Sequence, residues 1–214
     1  MNIVLSHLGD YAHGMEQTVV LTLVSYLGAF VIGLAVASCR VSPVPPLRAI
    51  GTLYVDIVRN VPLLVQFFIF FFGLTKVGIQ FAPFTTAIIV LSMYHGAFVG
   101  EVVRAGINTV DKGQIDAARA LGFTFPAVLV QLVLPQAIRS VVQPLGNVFI
   151  ALIKNSSVAY FISVVELLGT ADRLNTETAQ GIPVFIGAAV GYLILALSSA
   201  YVLRQMEKRL AVVR

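Results

Sequence analysis

EVVRAGINTVDKGQIDAARALGFTFPAVLVQLVLP, residues Glu101–Pro135, is the longest polar interruption in a chain that is otherwise nearly all apolar. Apolar runs flank it on both sides. It carries Glu101, Arg104, Asp111, Lys112, Asp116 and Arg119 in a chain that is only 11% charged. An ordered polar block kept between two membrane-length runs is a surface for something in water. Within it, Lys112–Leu121 reads as a short helix. Gly122 is placed to end that helix with a left-handed residue, and Phe123–Pro126 then turns the chain into the next helix.

Outside the block the composition is that of a membrane protein. Hydrophobic residues make up 58% of the 214 residues, and the mean hydropathy is +0.92. Soluble domains sit at roughly 45–50% apolar and about 25% charged. One core of this size cannot hide so much apolar surface, so much of it faces lipid. The single cysteine, Cys39, excludes a disulfide framework. His7, His13 and His95 have no ligand-like spacing, so no metal site is expected. The stretch before the first span has Asp10 and Glu16 but no Lys or Arg, unlike a cleavable signal.

About 20 apolar residues cross ~30 Å of hydrocarbon. By that measure five spans are expected, at 18–38, 54–75, 84–105, 128–153 and 183–203, with a polar segment over 106–127. Gly28, Gly33, Ala35 and Ala37 in the first would let another helix approach closely. VSPVPP (41–46) breaks the chain. Ala49–Asn60 is amphipathic and reads as an interfacial helix or the polar base of the second span. The fourth run carries Pro135, Arg139, Gln143, Pro144 and Asn147, which suits a helix lining a pathway. Ser156–Ala171 is short for a span, with Ser156 or Ser157 as a possible cap, and Asp172–Gly181 reads as a loop.

Lys and Arg near the span ends fix the orientation. With the N-terminus outside, the cytoplasmic set is Arg40, Arg48, Arg59, Arg104, Lys112, Arg119, Arg139, Arg204, Lys208, Arg209 and Arg214. Only Lys76, Lys154 and Arg173 fall outside. The net charge of +4 is thus a topology signal and not a nucleic-acid site.

These residues also carry a family resemblance. Asp116-Ala117-Ala118, three residues, Gly122, nine residues and then Leu132-Val133-Leu134-Pro135 resembles the "EAA…G…I-LP" signature of permease subunits of binding-protein-dependent ABC importers. Glu101-Val-Val-Arg-Ala-Gly-Ile107, Gly113-Gln114, Arg59-Asn-Val-Pro-Leu-Leu-Val-Gln66, Lys154-Asn-Ser-Ser157 and Val165-Glu-Leu-Leu168 are similar to the polar amino-acid branch (histidine, arginine, glutamine and glutamate permeases). The similarity covers roughly Thr18 to Leu210. Asp116 replaces the usual Glu, Leu132 replaces Ile, and His95 stands where small hydroxyl residues are common.

The resemblance implies an all-α integral membrane protein of the type I ABC importer permease fold, a single domain over 1–214 with five spans and a cytoplasmic coupling helix. It implies an ATPase docking on Asp116, Ala117, Ala118, Arg119, Gly122 and Pro135, and a bacterial cell membrane location with the C-terminus cytoplasmic. The further partners implied are a second permease subunit, an extracellular solute-binding protein and a polar amino acid, glutamate or glutamine first. ATP and Mg would be held by the ATPase, because this chain has no Gly-x-x-x-x-Gly-Lys-Ser/Thr loop.

On the residues themselves, Asp116 and Arg119 are spaced to pair with each other or with a partner. His95 divides between a pathway role and a packed histidine. Glu101 is expected to pair with Arg104 or Arg139. Gln143, Asn147 and Lys154 fall near one helix face as pathway candidates. The run Phe67–Phe72 reads as packing and lipid-facing surface. The rival class is an ion-coupled secondary amino-acid carrier, which predicts inverted repeats; the sequence shows no convincing one.

Overall fold

The structure, a computed structural model, describes residues 2–210, and every secondary-structure element among them is helical. In chain order these are α1 (Asn2–Ser6), α2 (Leu8–Val41), α3 (Pro45–Asn60), α4 (Leu63–Phe68), α5 (Leu74–Lys76), α6 (Pro83–Ile107), α7 (Lys112–Ala120), α8 (Phe125–Val128), α9 (Leu134–Asn155), α10 (Leu167–Thr178) and α11 (Gly181–Leu210). A π-helical turn, Ile69–Gly73, joins α4 to α5. A second, Leu129–Val133, joins α8 to α9, and a 3₁₀ segment, Ser156–Ile162, prolongs α9. The second π turn lies just ahead of Pro135, which has no N–H for an α-helical bond and whose ring crowds the preceding turn.

Four helical stretches are long and apolar enough to cross a membrane: Leu8–Val41, Pro83–Ile107, Phe125–Ile162 and Gly181–Lys208. The second expected span, 54–75, differs. Pro45–Asn60 and Leu63–Lys76 pass the test only together, and they meet at 104°. Pro62 causes the break, because the residue before a proline is pushed out of the helical region; Val61 is extended at φ −93°, ψ 128°. Buried Gln66 then spans the break. Its Nε2 donates to the carbonyls of Val58 (2.8 Å) and Val61 (3.0 Å), so groups freed by the bend stay bonded in a region without water.

Helices α2 and α6 run parallel and form the centre of the bundle. Small residues let them touch. A Cβ on Gly33 would lie 2.4 Å from Val99 Cγ1, and one on Gly96 would lie 2.7 Å from Ile32 Cγ2. Ser92 Oγ donates across the seam to the Ser25 carbonyl at 3.1 Å. Leu63 and Phe67 return antiparallel against Val90 and Leu91, with Leu21 and Ile162 closing the cluster. Phe67 is therefore core, while Phe68 and Phe72 are exposed.

The stretch expected as a loop, Asp172–Gly181, is mostly helix. Glu166 caps α10: its carboxylate accepts from the N–H groups of Leu168 (3.0 Å) and Gly169 (3.0 Å), and the Tyr192 hydroxyl donates to it from α11. Burial pushes the Glu166 carboxyl above the usual range, against these donors. Leu167, Ala171 and Leu174 give α10 a buried stripe against Tyr11, Val184 and Ala188, and Ala179 in the left-handed region (φ 52°) ends it. Ser156 and Ser157 do not cap a new helix. Their hydroxyls donate back to the Ile153 and Lys154 carbonyls, 2.7 Å each.

Gly33→Leu should force the α2–α6 seam apart. Overpacking costs about 1–3 kcal/mol, read as a lower melting temperature of the detergent-solubilised protein. Gly9→Ala, where a Cβ meets nothing within 4 Å, should not lower it.

Candidate functional site

The first feature is the polar block. Asp111 Oδ1 accepts from the Gly113 N–H (2.6 Å) and starts α7. Gly122, at φ +88°, ends it. The Gly122 N–H donates to the Arg119 carbonyl (3.0 Å) and the Phe123 N–H to Ala118 (3.1 Å), the paired bonds of a Schellman stop. Ile115 and Ala118 face inward onto Val110, Val128 and Val133, and Gln136 Nε2 of α9 donates to Gln114 Oε1 at 3.1 Å. Asp116, Ala117 and Arg119 are left exposed on the other side, and Pro135 is half-buried on α9 behind them. Asp116 and Arg119 form no ion pair with each other among the described residues. Beyond the helix, Leu121 is 80% exposed and Phe125 71%. The sequence reading placed Leu121 at the end of the short helix and Phe125 in the turn after it, and did not single them out as an apolar tip.

The second feature is a charge node at the same end of the bundle. The Glu101 carboxylate pairs with Arg40, with Arg104 Nε at 3.0 Å and with Arg59 Nη1 at 3.4 Å. Of the two partners expected for Glu101, Arg104 takes part and Arg139 does not, because it lies exposed on α9. The Arg59 guanidinium also sits 5.1 Å from the centre of the Phe98 ring. One acid thus ties together the ends of α2, α3 and α6.

The third feature is a pair of cavities along α9. One, of about 370 Å³, is lined by His95, Asn147 and Asn155 with walls from Tyr94, Phe98 and Val148. The second, about 190 Å³, is lined by Gln143 and Asn147 with Leu203, Arg204 and Glu207 of α11. Asn147 thus borders both cavities, His95 opens only to the first and Gln143 only to the second. Lys154 is exposed and lines neither of them. Asn155 is the residue that sequence reasoning passed over here. It follows Lys154 in the quoted motif, but it lies on the face that meets α6.

Known proteins share this fold. Residues 29–212 match the family of binding-protein-dependent transport system inner membrane components, and the chain belongs to it. The protein is membrane-embedded, and its fold is that of the type I ABC importer permeases. It is 38% identical to a probable glutamine ABC transporter permease protein of Bacillus subtilis, over 98% of this chain and 97% of that one. It is 39% identical to a glutamate transport system permease protein of Corynebacterium glutamicum, over 91% of each. A crystal structure of an amino acid ABC transporter with histidines superposes with a TM-score of 0.92, at 30% identity over 96% of both chains.

Glu101→Gln should leave Arg40, only 13% exposed, without its counter-charge. We expect a loss of about 1–3 kcal/mol, seen as an earlier thermal transition. Adding Arg40→Met should recover part of the loss; no recovery would mean that the pair is not what holds α2 to α6 at this end.

Proposed function

We propose that this chain is the permease subunit of an ATP-driven importer for polar amino acids, with glutamine and glutamate as the first substrates. The observation that supports it most directly is α7. A nine-residue helix stands off a membrane bundle, stopped at Gly122, with an exposed polar face and an apolar tip. It suits a groove on a water-soluble protein, and the family membership makes that protein an ABC ATPase. The named substrates of the two quoted relatives support the substrate class.

In this reading two permease subunits, identical or paralogous, enclose the pathway, because four or five spans make a thin bundle. Two ATPase subunits dock on the α7 helices. Closure around ATP pushes on α7, and the rigid α7–α9 contact passes the movement to the pathway helix. The bundle then shifts between inward-open and outward-open states, each favoured by a different ligand state of the ATPase. An extracellular solute-binding protein delivers the amino acid at the opposite end, near α10. The N-terminus lies outside and the C-terminus in the cytoplasm of a bacterial cell. The Arg40–Arg59–Arg104 node then faces the anionic inner leaflet and Arg173, paired with Asp10, faces out. ATP and Mg bind on the partner ATPase. Asp116, Ala117, Ala118, Arg119, Gly122 and Pro135 form the coupling region, and His95, Gln143 and Asn147 border the path.

The test is transport. The chain is co-expressed with its genomic neighbours, and the purified complex is reconstituted in liposomes with labelled glutamine or glutamate. Uptake should require ATP inside the docking compartment and should persist with a proton ionophore. Uptake that survives without ATP and collapses with the ionophore would contradict the proposal.

A further inference from the structure

Helix α3 follows α2 after a short turn, residues 42–44, and ends beside the Glu101 node, which Arg59 joins. It meets the α4–α5 segment at 104°, and that segment returns along α6. Helix α3 therefore lies across the spans, near the plane of the membrane. Helical spacing gives it three faces. Gly51, Val55 and Val58 are buried, with Val55 and Val58 against Val36 of α2 and Ala97 of α6. Arg48, Thr52, Asp56 and Arg59 make a polar stripe. Ile50, Leu53 and Ile57 make an apolar stripe on the other flank, and it is open: they are 64%, 60% and 54% exposed. A helix in the membrane plane with one polar and one apolar flank sits at the boundary between headgroups and acyl chains.

A groove of about 750 Å³ runs along α3 between the two stripes, over the small side chain of Ala49. Arg48, Thr52 and Asp56 line one edge, and Ile50 and Leu53 line the other. Arg48 and Asp56 are exposed, and neither takes part in an ion pair among the described residues. Next to them Arg40, Arg59 and Arg104 share the single acid Glu101. Four arginines thus stand against two acids at this end of the bundle, and Arg48 is the one with no acid committed to it. A free guanidinium beside an open apolar stripe matches a molecule with a phosphate at one end and a hydrocarbon tail at the other. The surplus of positive charge favours an anionic one.

We propose that the groove on α3 is a binding site for an anionic phospholipid, with its phosphate on Arg48 and an acyl chain along Ile50, Leu53 and Ile57. Thr52, one turn from Arg48, adds a hydroxyl to the same edge. Asp56, two turns away, repels the phosphate and so keeps the headgroup at the Arg48 end. The site requires only that the chain is embedded in a membrane, and it stands apart from the importer reading.

The chain has no tryptophan, so Leu53→Trp gives a single reporter in the apolar stripe. The full chain is reconstituted in phosphatidylcholine vesicles that carry the same fraction of either brominated phosphatidylglycerol or brominated phosphatidylcholine. Quenching of the tryptophan by each gives their relative binding. Phosphatidylglycerol should be preferred by roughly fivefold, the worth of one arginine beside an anionic surface, and high salt should reduce the preference. Adding Arg48→Gln should abolish it, Arg48→Lys should keep most of it, and Asp56→Asn should raise it. In Leu193→Trp, on the exposed side of α11, the two lipids should quench alike. A melting temperature equal to that of the parent verifies that each variant is folded. Equal quenching by the two lipids in Leu53→Trp, or a preference that survives Arg48→Gln, overturns the site. Quenching by neither lipid overturns it as well, because the stripe is then covered by protein, such as a second copy of the chain.

Discussion

Inside a bilayer the hydrophobic effect does not press helices together, because lipid tails are as apolar as leucine. Association there depends on close van der Waals contact, and the α2–α6 seam supplies it. Gly33 against Val99 and Gly96 against Ile32 bring two parallel helices as near as backbone allows. Everything else is hung on that pair. The returning α4–α5 segment packs Phe67 onto α6, α9 lies antiparallel to α6 through Gly106 and Val141, and α10 and α11 close the far side on Tyr11 and Leu167.

Three of the buried and half-buried polar side chains are placed at joints. Gln66 holds the bend between α3 and α4, Glu101 gathers the ends of three helices, and Glu166 ties the start of α10 to α11. Each has enough partners to offset the cost of leaving water. This division gives the molecule rigid rods with bonded corners.

The helical class and the positions of the polar block, its glycine stop and the close-packing glycines were legible because they follow from local chemistry: hydropathy, charge and the special freedom of Gly122. The break at Val61–Pro62 was half legible. Pro62 was in plain view, but a run of apolar residues long enough to span hid the 104° turn. Helix α10 was hidden by its polar exterior; its stripe of Leu167, Ala171 and Leu174 has helical spacing but is short. Of the arginine partners of Glu101, Arg104 was readable from its helical spacing, but Arg40 and Arg59 were not, since they lie 61 and 42 residues away in sequence. The same holds for Asn155, which meets His95 on another helix.

The central claim is that α7 is the handle by which an ATPase moves this bundle. The most direct measurement is copurification of the tagged chain with its ATPase in mild detergent, comparing Gly122→Val with Gly78→Val. Both glycines have positive φ, +88° and +85°, and open space for a side chain, so the two substitutions strain the backbone alike at opposite ends of the bundle. The account predicts that the ATPase stays with the unaltered chain and with Gly78→Val and is lost from Gly122→Val. An ATPase retained equally by both variants, or absent from the unaltered chain, would contradict it.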